Sequence, residues 1–232
     1  MSDTPRASPH ELAALAGRTH VFRDREHAGE ILAGMLQEYA DSDATVLAIP
    51  AGGVPVAVPI TRSLHLPLDV IPVSKILLPW TTEAGCGAVA FDGSVFVDAG
   101  AIARFGLTGD DVAESTRVAR DKVTRRVRRW RGERPLDLRD RTAIVVDDGI
   151  AAGSTMRAAI AALRGAGPSR IVVAVPTAHR GALEALAASV DAVHGANVRG
   201  GFRFAVADAY RHWTDVTDDE VAEALDRGRD GG

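Results

Sequence analysis

An apolar run, Ala143-Ile-Val-Val146, ends on two carboxylates, Asp147 and Asp148, followed by small residues in Gly149-Ile-Ala-Ala-Gly153 and then by Ser154-Thr155. Each residue type at this spacing has a physical use. Gly149, Ala151, Ala152 and Gly153 let a ligand approach the backbone, and the amides and hydroxyls of Ser154 and Thr155 open a helix, whose positive end stabilises an anion. The stretch predicts a phosphate cradle. No lysine precedes Ser154, which excludes a Walker loop, and the G-x-G-x-x-G dinucleotide pattern does not fit either. Two carboxylates beside a phosphate repel it unless they face hydroxyls, a metal ion or a developing cation. A sugar diol next to a phosphate meets that condition, and ribose 5-phosphate fits.

Two other stretches have the same design of strand followed by polar loop. Thr45-Val-Leu-Ala-Ile49 stops at Pro50-Ala-Gly-Gly53, with Pro55 near the first helical position. Leu68 to Val73 runs into Ser74-Lys75 and a long segment carrying Pro79, Gly85 and Gly87, which reads as a loop. Lysine occurs only at Lys75 and Lys122, arginine supplying the other 25 of 27 basic residues, so a lysine at a strand end is singled out.

These motifs need elements to hold them. Asp24 predicts the cap of a helix from Arg25 to about Tyr39, with Ile31, Leu32, Met35 and Leu36 at helical spacing. Ala88–Phe91 and Ser94–Val97 flank Asp92-Gly93, a tight-hairpin dipeptide. From Thr108 to Arg131 apolar positions recur every three or four residues, with acids early and arginines late, as the helix dipole favours. Strand and helix then alternate: 142–146 and 154–164, 171–175 and 180–188, and a short strand at 190–193. Such alternation predicts an α/β fold with a mainly parallel central sheet flanked by helices. Thr217 and Glu220 form a capping box for a last helix, and residues 1–20 read as a mobile tail.

The stretch around Asp147 and Asp148 resembles the phosphoribosyl pyrophosphate (PRPP) motif of type I phosphoribosyltransferases. Pro50-Ala-Gly-Gly53 resembles that fold's pyrophosphate loop, Ser74-Lys75 its lysine-bearing position, and all three fall in the expected order. Further similarity, from Phe22-Arg-Asp-Arg25 through Gly87-Ala-Val-Ala90 to the Phe202–Trp213 segment, points to a little-characterised bacterial and archaeal branch and extends from Val21 to Leu225.

The resemblance implies one domain over residues 21–232, with a small hood from 21–40, 195–215 or both. It assigns Asp147 and Asp148 to the ribose hydroxyls and the oxocarbenium-like centre, directly or through Mg2+, and Gly149 and Ala151–Thr155 to the 5-phosphate. Ala51, Gly52, Gly53 and Lys75 would hold pyrophosphate, with magnesium sharing the charge, and Glu83 would swing over the site. A homodimer is implied, acting on PRPP and a nitrogen heterocycle.

The chain departs from the pattern where relatives carry arginine in place of Ala51 and Ser74 and threonine in place of Ala152. Pro59 falls inside the helix after the pyrophosphate loop, where it could bend or shorten it. These changes weaken the pyrophosphate end and leave two other readings open. One is a regulator that senses PRPP or a nucleotide and binds nucleic acid through the arginines between Arg125 and Arg134. The other is a phosphorylase or hydrolase acting at the same anomeric carbon, and a donor with a smaller leaving group, such as ribose 1-phosphate, also stays open.

The remaining features exclude more than they assign. The 232 residues are 46% apolar and 25% charged, with 27 basic against 31 acidic groups, so no overall field draws the chain onto nucleic acid or membrane. One cysteine, Cys86, excludes an internal disulfide and lies without a basic neighbour, which predicts a packed thiol. The seven histidines show no metal-ligand spacing, and His179 reads as a surface loop residue. Phe202, Phe204, Tyr210 and Trp213 serve either stacking on a base or core packing. Without a leader or a helix-compatible apolar run, the protein is expected in the cytoplasm.

Overall fold

Apolar runs that stop at glycine, proline or an acid form short buried strands, and the amphipathic runs between them form helices. The computed structural model describes residues 8–81, 84–132, 134–201 and 203–229, so Glu83 and Phe202 lie outside the described residues. The first half contains β1 (His10–Glu11), α1 (Arg25–Met35), β2 (Thr45–Ala48), α2 (Gly53–Leu64), β3 (Leu68–Val70), β4 (Ser74–Leu77), β5 (Gly85–Val89), β6 (Val95–Val97) and α3 (Ala99–Phe105). The second half contains α4 (Gly109–Trp130), β7 (Thr142–Val146), α5 (Ser154–Arg164), β8 (Arg170–His179), α6 (Arg180–Ala187), β9 (Ala192–Arg199) and α7 (Asp218–Arg229). Among the described residues no helix is long and apolar enough to cross a membrane.

Two compact units result, one of Met1–Val70, Asp137–Gly153 and Gly167–Gly232, the other of Ile71–Leu136 and Ser154–Ala166. In the first, six strands form one sheet in the order β1-β9-β8-β7-β2-β3, every neighbouring pair parallel. All five residues of β7 and eight of the ten in β8 are buried, as in strands covered on both faces. This is the α/β class that the alternation predicted. Helices α1 and α2 pack so closely that a methyl on Gly29 would overlap the Val56 carbonyl oxygen and come within 3.1 Å of Pro59 Cγ. Helix α2 continues through Pro59 to Leu64, against the expectation of a shortened helix, because Pro59 is buried in that contact.

Several boundaries moved for identifiable reasons. Pro72, which lacks an N–H, ends β3 early, and Ser74-Lys75, expected to open a loop, lies instead in β4 of a different sheet. The short strand expected at 190–193 is the eight-residue β9; the polar His194 and Asn197 break its apolar run yet are buried. Residues 195–199, within the expected hood, thus belong to the sheet. The described part of the expected tail supplies β1, which pairs His10 with His194 and Glu11 with Gly195. An open sheet edge offers unpaired backbone groups to any adjacent segment, and Gly17 N–H donates to Val198 O at 3.0 Å on the same edge.

His194 makes this edge sensitive to acid. It is 2% exposed, neither ring nitrogen has a hydrogen-bond partner, and it stacks on His10 with centroids 4.9 Å apart. Burial, aided by His10, pushes the imidazole below its ordinary value, and Glu38 opposes this. A group that takes up a proton less readily when folded costs stability as pH falls. Stability should therefore be full above about pH 6.5, the ordinary imidazole value, and decline below it. Urea midpoints measured at about pH 7.5 and about pH 5.5 should differ, and His194→Phe should shrink the difference.

The second unit is built on the antiparallel sheet β4-β5-β6. Gly93, at φ 86°, makes the tight turn predicted at Asp92-Gly93, and Asp92 Oδ1 accepts from Ser94 N–H at 2.9 Å. Helix α4 starts at a capping box of Thr108 and Asp111 and turns Ala119 and Val123 into a core with Ile76, Leu78, Cys86 and Val89. Cys86 is packed there as expected, and burial pushes its thiol up.

Candidate active site

The sheet order puts β2 and β7 side by side, Ala48 level with Val146. From β2 the chain passes through α2 to β3 on one side, whereas from β7 it passes through α5 to β8 on the other. Connections that diverge from adjacent parallel strands leave a crevice at the strands' carboxyl ends, where ligands of open α/β sheets bind. Both motifs singled out in the sequence, Pro50–Gly53 and Asp147–Gly153, end at this point. Ile49 N–H donates to Val146 O at 2.8 Å, Gly53 N–H to Ile49 O at 3.0 Å, and the Pro50–Ala51 peptide is cis.

Two glycines are required by close approach. A Cβ on Gly52 would overlap Asp148 Oδ2 and lie 2.5 Å from its Cγ, and one on Gly53 would lie 2.7 Å from Val146 O and 3.0 Å from Asp147 Cα. The loop after β2 therefore lies directly on the Asp148 carboxylate and on the backbone of Asp147 after β7. The Asp147 carboxylate accepts from the Asp148 N–H at 2.8 Å.

Asp148 is held by a residue that the sequence did not single out. Arg25, at the start of α1 and 8% exposed, donates from Nε to Asp148 Oδ2 at 2.9 Å and from Nη1 to Thr214 O at 2.7 Å. Its guanidinium lies 3.8 Å from the centre of the Trp213 ring. The Tyr210 hydroxyl donates to the Asp148 carbonyl at 2.6 Å, and burial together with the Asp148 charge keeps that phenol protonated. The one sequence signal for Arg25 was its place in Phe22-Arg-Asp-Arg25, beside the Asp24 that caps α1. Of the aromatic residues left between two readings, Tyr210 is buried and Trp213 is 37% exposed. Phe204 lies against His179 and under the Arg199 guanidinium.

The remainder of the cradle is tied to β8. Ile150 N–H donates to Thr177 O at 2.9 Å and His179 N–H to Ile150 O at 2.8 Å. A Cβ on Gly149 would meet Val206 Cγ1 at 2.5 Å and Thr177 Cγ2 at 2.9 Å, so packing against those side chains requires this glycine too. Ala151 and Ala152 are exposed, Gly153 turns the chain at φ 76°, and α5 begins at Ser154.

A family model described as a phosphoribosyl transferase domain matches residues 95–206, a span that contains Asp147 through Thr155. A Mycobacterium tuberculosis protein provisionally named as a phosphoribosyl transferase, Rv0571c, is 36% identical over 208 residues, 89% of this chain. The chain belongs to the phosphoribosyltransferase family. It spans about half the length of the curated relatives it matches, 47% of Rv0571c and of its counterpart MT0597 from another strain. The crystal structure of TT1426 from Thermus thermophilus is similar to it over 88% of this chain and 97% of that one, with 36% identity and a TM-score of 0.69.

In this member of the family the matched span leaves out Ala51–Gly53 and Lys75, so those assignments depend on placement alone. Gly52 meets the Asp148 carboxylate, Gly53 meets the backbone at Val146 and Asp147, and Ala51 precedes them in the same loop. Lys75 is exposed on β4 of the second unit, opposite Ala88, and Ser74 beside it is buried. Asp147 and Asp148 offer a metal ion two carboxylates. Among the described residues no three His, Cys, Asp or Glu side chains are grouped to hold one. One Asp148 oxygen is engaged by Arg25 and one Asp147 oxygen by a backbone N–H. Magnesium commonly binds through one or two carboxylates together with substrate phosphates, and only that mode suits such a donor set.

Proposed function

We propose that this chain transfers ribose 5-phosphate from PRPP to a nitrogen heterocycle, a nucleobase being the simplest case, and releases pyrophosphate. One observation carries the reading: Gly52 and Gly53 pack against Asp148 and Asp147, so a loop of backbone amides and a carboxylate pair share one crevice. A pyrophosphate leaving group needs the first and a cationic ribose the second. In the reaction the C1–oxygen bond breaks with its electron pair going to pyrophosphate, a nitrogen lone pair forms the new bond at C1, and the displaced proton passes to solvent.

Asp147 and Asp148 hold the ribose hydroxyls and stabilise positive charge at the anomeric centre, and the amides of Ala51 and Gly52 face the departing phosphates, the Gly53 amide being held by Ile49 O. The segment Gly149–Thr155 holds the 5-phosphate, fixing the sugar against both. Magnesium bound with the donor would neutralise phosphate charge, and Asp147 and Asp148 would be the carboxylates to meet it.

The test is mass spectrometry of the products when protein, PRPP and Mg2+ are incubated with a panel of purine, pyrimidine and pyridine bases. A new nucleotide with matching pyrophosphate, lost in Asp147→Asn, is the expected result. No nucleotide with any base, despite binding of PRPP, would turn attention to ribose 1-phosphate chemistry or to ligand sensing.

A further inference from the structure

Arg25 joins two parts of the chain that neither the fold nor the proposed chemistry requires to be joined. The segment Tyr210–Thr214 lies along Phe22–Arg25: Arg211 N–H donates to Phe22 O and His212 N–H to Arg23 O, both at 2.9 Å, and Phe22 bridges Tyr210. At its end the Arg25 fork holds the Thr214 carbonyl with one arm and Asp148 Oδ2 with the other, the Trp213 ring covering its face. The other flank of the same carboxylate is Gly52, which has no room for even a methyl. Asp148 is thus set between a cation and a backbone wall.

We propose that Arg25 is the positioning residue of the carboxylate pair, and that through it the ordering of the 210–214 arm and the binding of a ribose phosphate are coupled. The inference rests on reading Asp147 and Asp148 as the ribose subsite. Two adjacent carboxylates repel one another, and Arg25 offsets one of the two charges at the atom nearest the Pro50–Gly53 loop. A ligand that needs Asp148 in this orientation binds more tightly when the fork is closed. By linkage, that ligand makes the arm more rigid. A guanidinium performs both tasks because it is planar and forked; an ammonium supplies charge without the fork.

The experiment compares wild type with Arg25→Met and Arg25→Lys in two measurements. The first is amide hydrogen exchange without ligand. In Arg25→Met, protection of Arg211 and His212 should fall by about tenfold or more, while β7 and β8 keep theirs, since local opening is governed by local contacts. The second is calorimetric binding of ribose 5-phosphate with EDTA present, which removes metal from the question. Arg25→Met should weaken it about tenfold, and Arg25→Lys should recover most of that affinity without restoring arm protection.

Wild-type protection of the arm in Arg25→Met would overturn the tether, and wild-type affinity would overturn the positioning role. If the wild-type protein binds neither ribose 5-phosphate nor PRPP, the transferase reading and the coupling both fall, and the exchange data still decide the tether.

Discussion

Asp148→Ala should destabilise the protein by about 3 kcal/mol, because it leaves the Arg25 guanidinium in a largely buried position without its carboxylate. The two side chains of that pair are 10% and 16% exposed, far from the solvated condition in which ion pairs contribute little. For a chain of this size the loss corresponds to about 6–12 °C in a thermal melt. Asp147→Asn should behave in the opposite way. Its remaining oxygen can still accept from the Asp148 N–H, so stability should stay within about 0.5 kcal/mol. On the proposed transferase reading, turnover should nevertheless fall at least about a hundredfold, since that reading sets the Asp147 charge against the anomeric centre. Adding Arg25→Met to Asp148→Ala should recover part of the stability, as removal of an orphaned charge does. A double variant less stable than Asp148→Ala would contradict this account of the pair.

The second large effect belongs to Gly52→Ala. The new methyl overlaps Asp148 Oδ2, and the carboxylate cannot swing aside without leaving Arg25. Overpacking of this kind typically costs about 1–3 kcal/mol. Binding of a ribose phosphate should suffer more, by about a hundredfold, because the loop or the carboxylate must give way in the crevice itself. Gly34→Ala is the control: nothing lies within 4 Å of the position where its methyl would be. An alanine there, in the last turn of α1, should be neutral or stabilising, by up to about 1 kcal/mol. Calorimetric titration of both variants, with thermal melts alongside, separates the local effect from a general intolerance of added methyl groups.

The features legible in the sequence were the local ones. The strand, loop and helix from Ala143 to Thr155 can be recognised because each residue's task depends on neighbours within a dozen positions, and the loop after Thr45–Ala48 can be read for the same reason. The parallel sheet followed from alternation alone. Arg25 was not legible as a partner of Asp148, because the two meet across 123 positions and no periodicity spans that distance. The need for glycine at 29, 52 and 149 has the same origin, each being forced by an atom from a distant segment. Strand β1 has two residues, too few for any alternation to register, and its pairing is determined by the edge it meets. Ser74-Lys75 reads locally as the start of a loop, whereas its strand joins another sheet, a choice made by tertiary partners rather than by composition.

The close seating of α1 on α2 at Gly29 reaches beyond packing. Arg25 lies one turn before Gly29 on α1, and Gly53 begins the helix that Gly29 touches. The arginine and the loop therefore stand on two helices that meet at Gly29, and a larger residue at position 29 would have to push those helices apart. Mutational tolerance at this position, distant in sequence from every residue that meets a ligand, should therefore resemble that of the crevice itself.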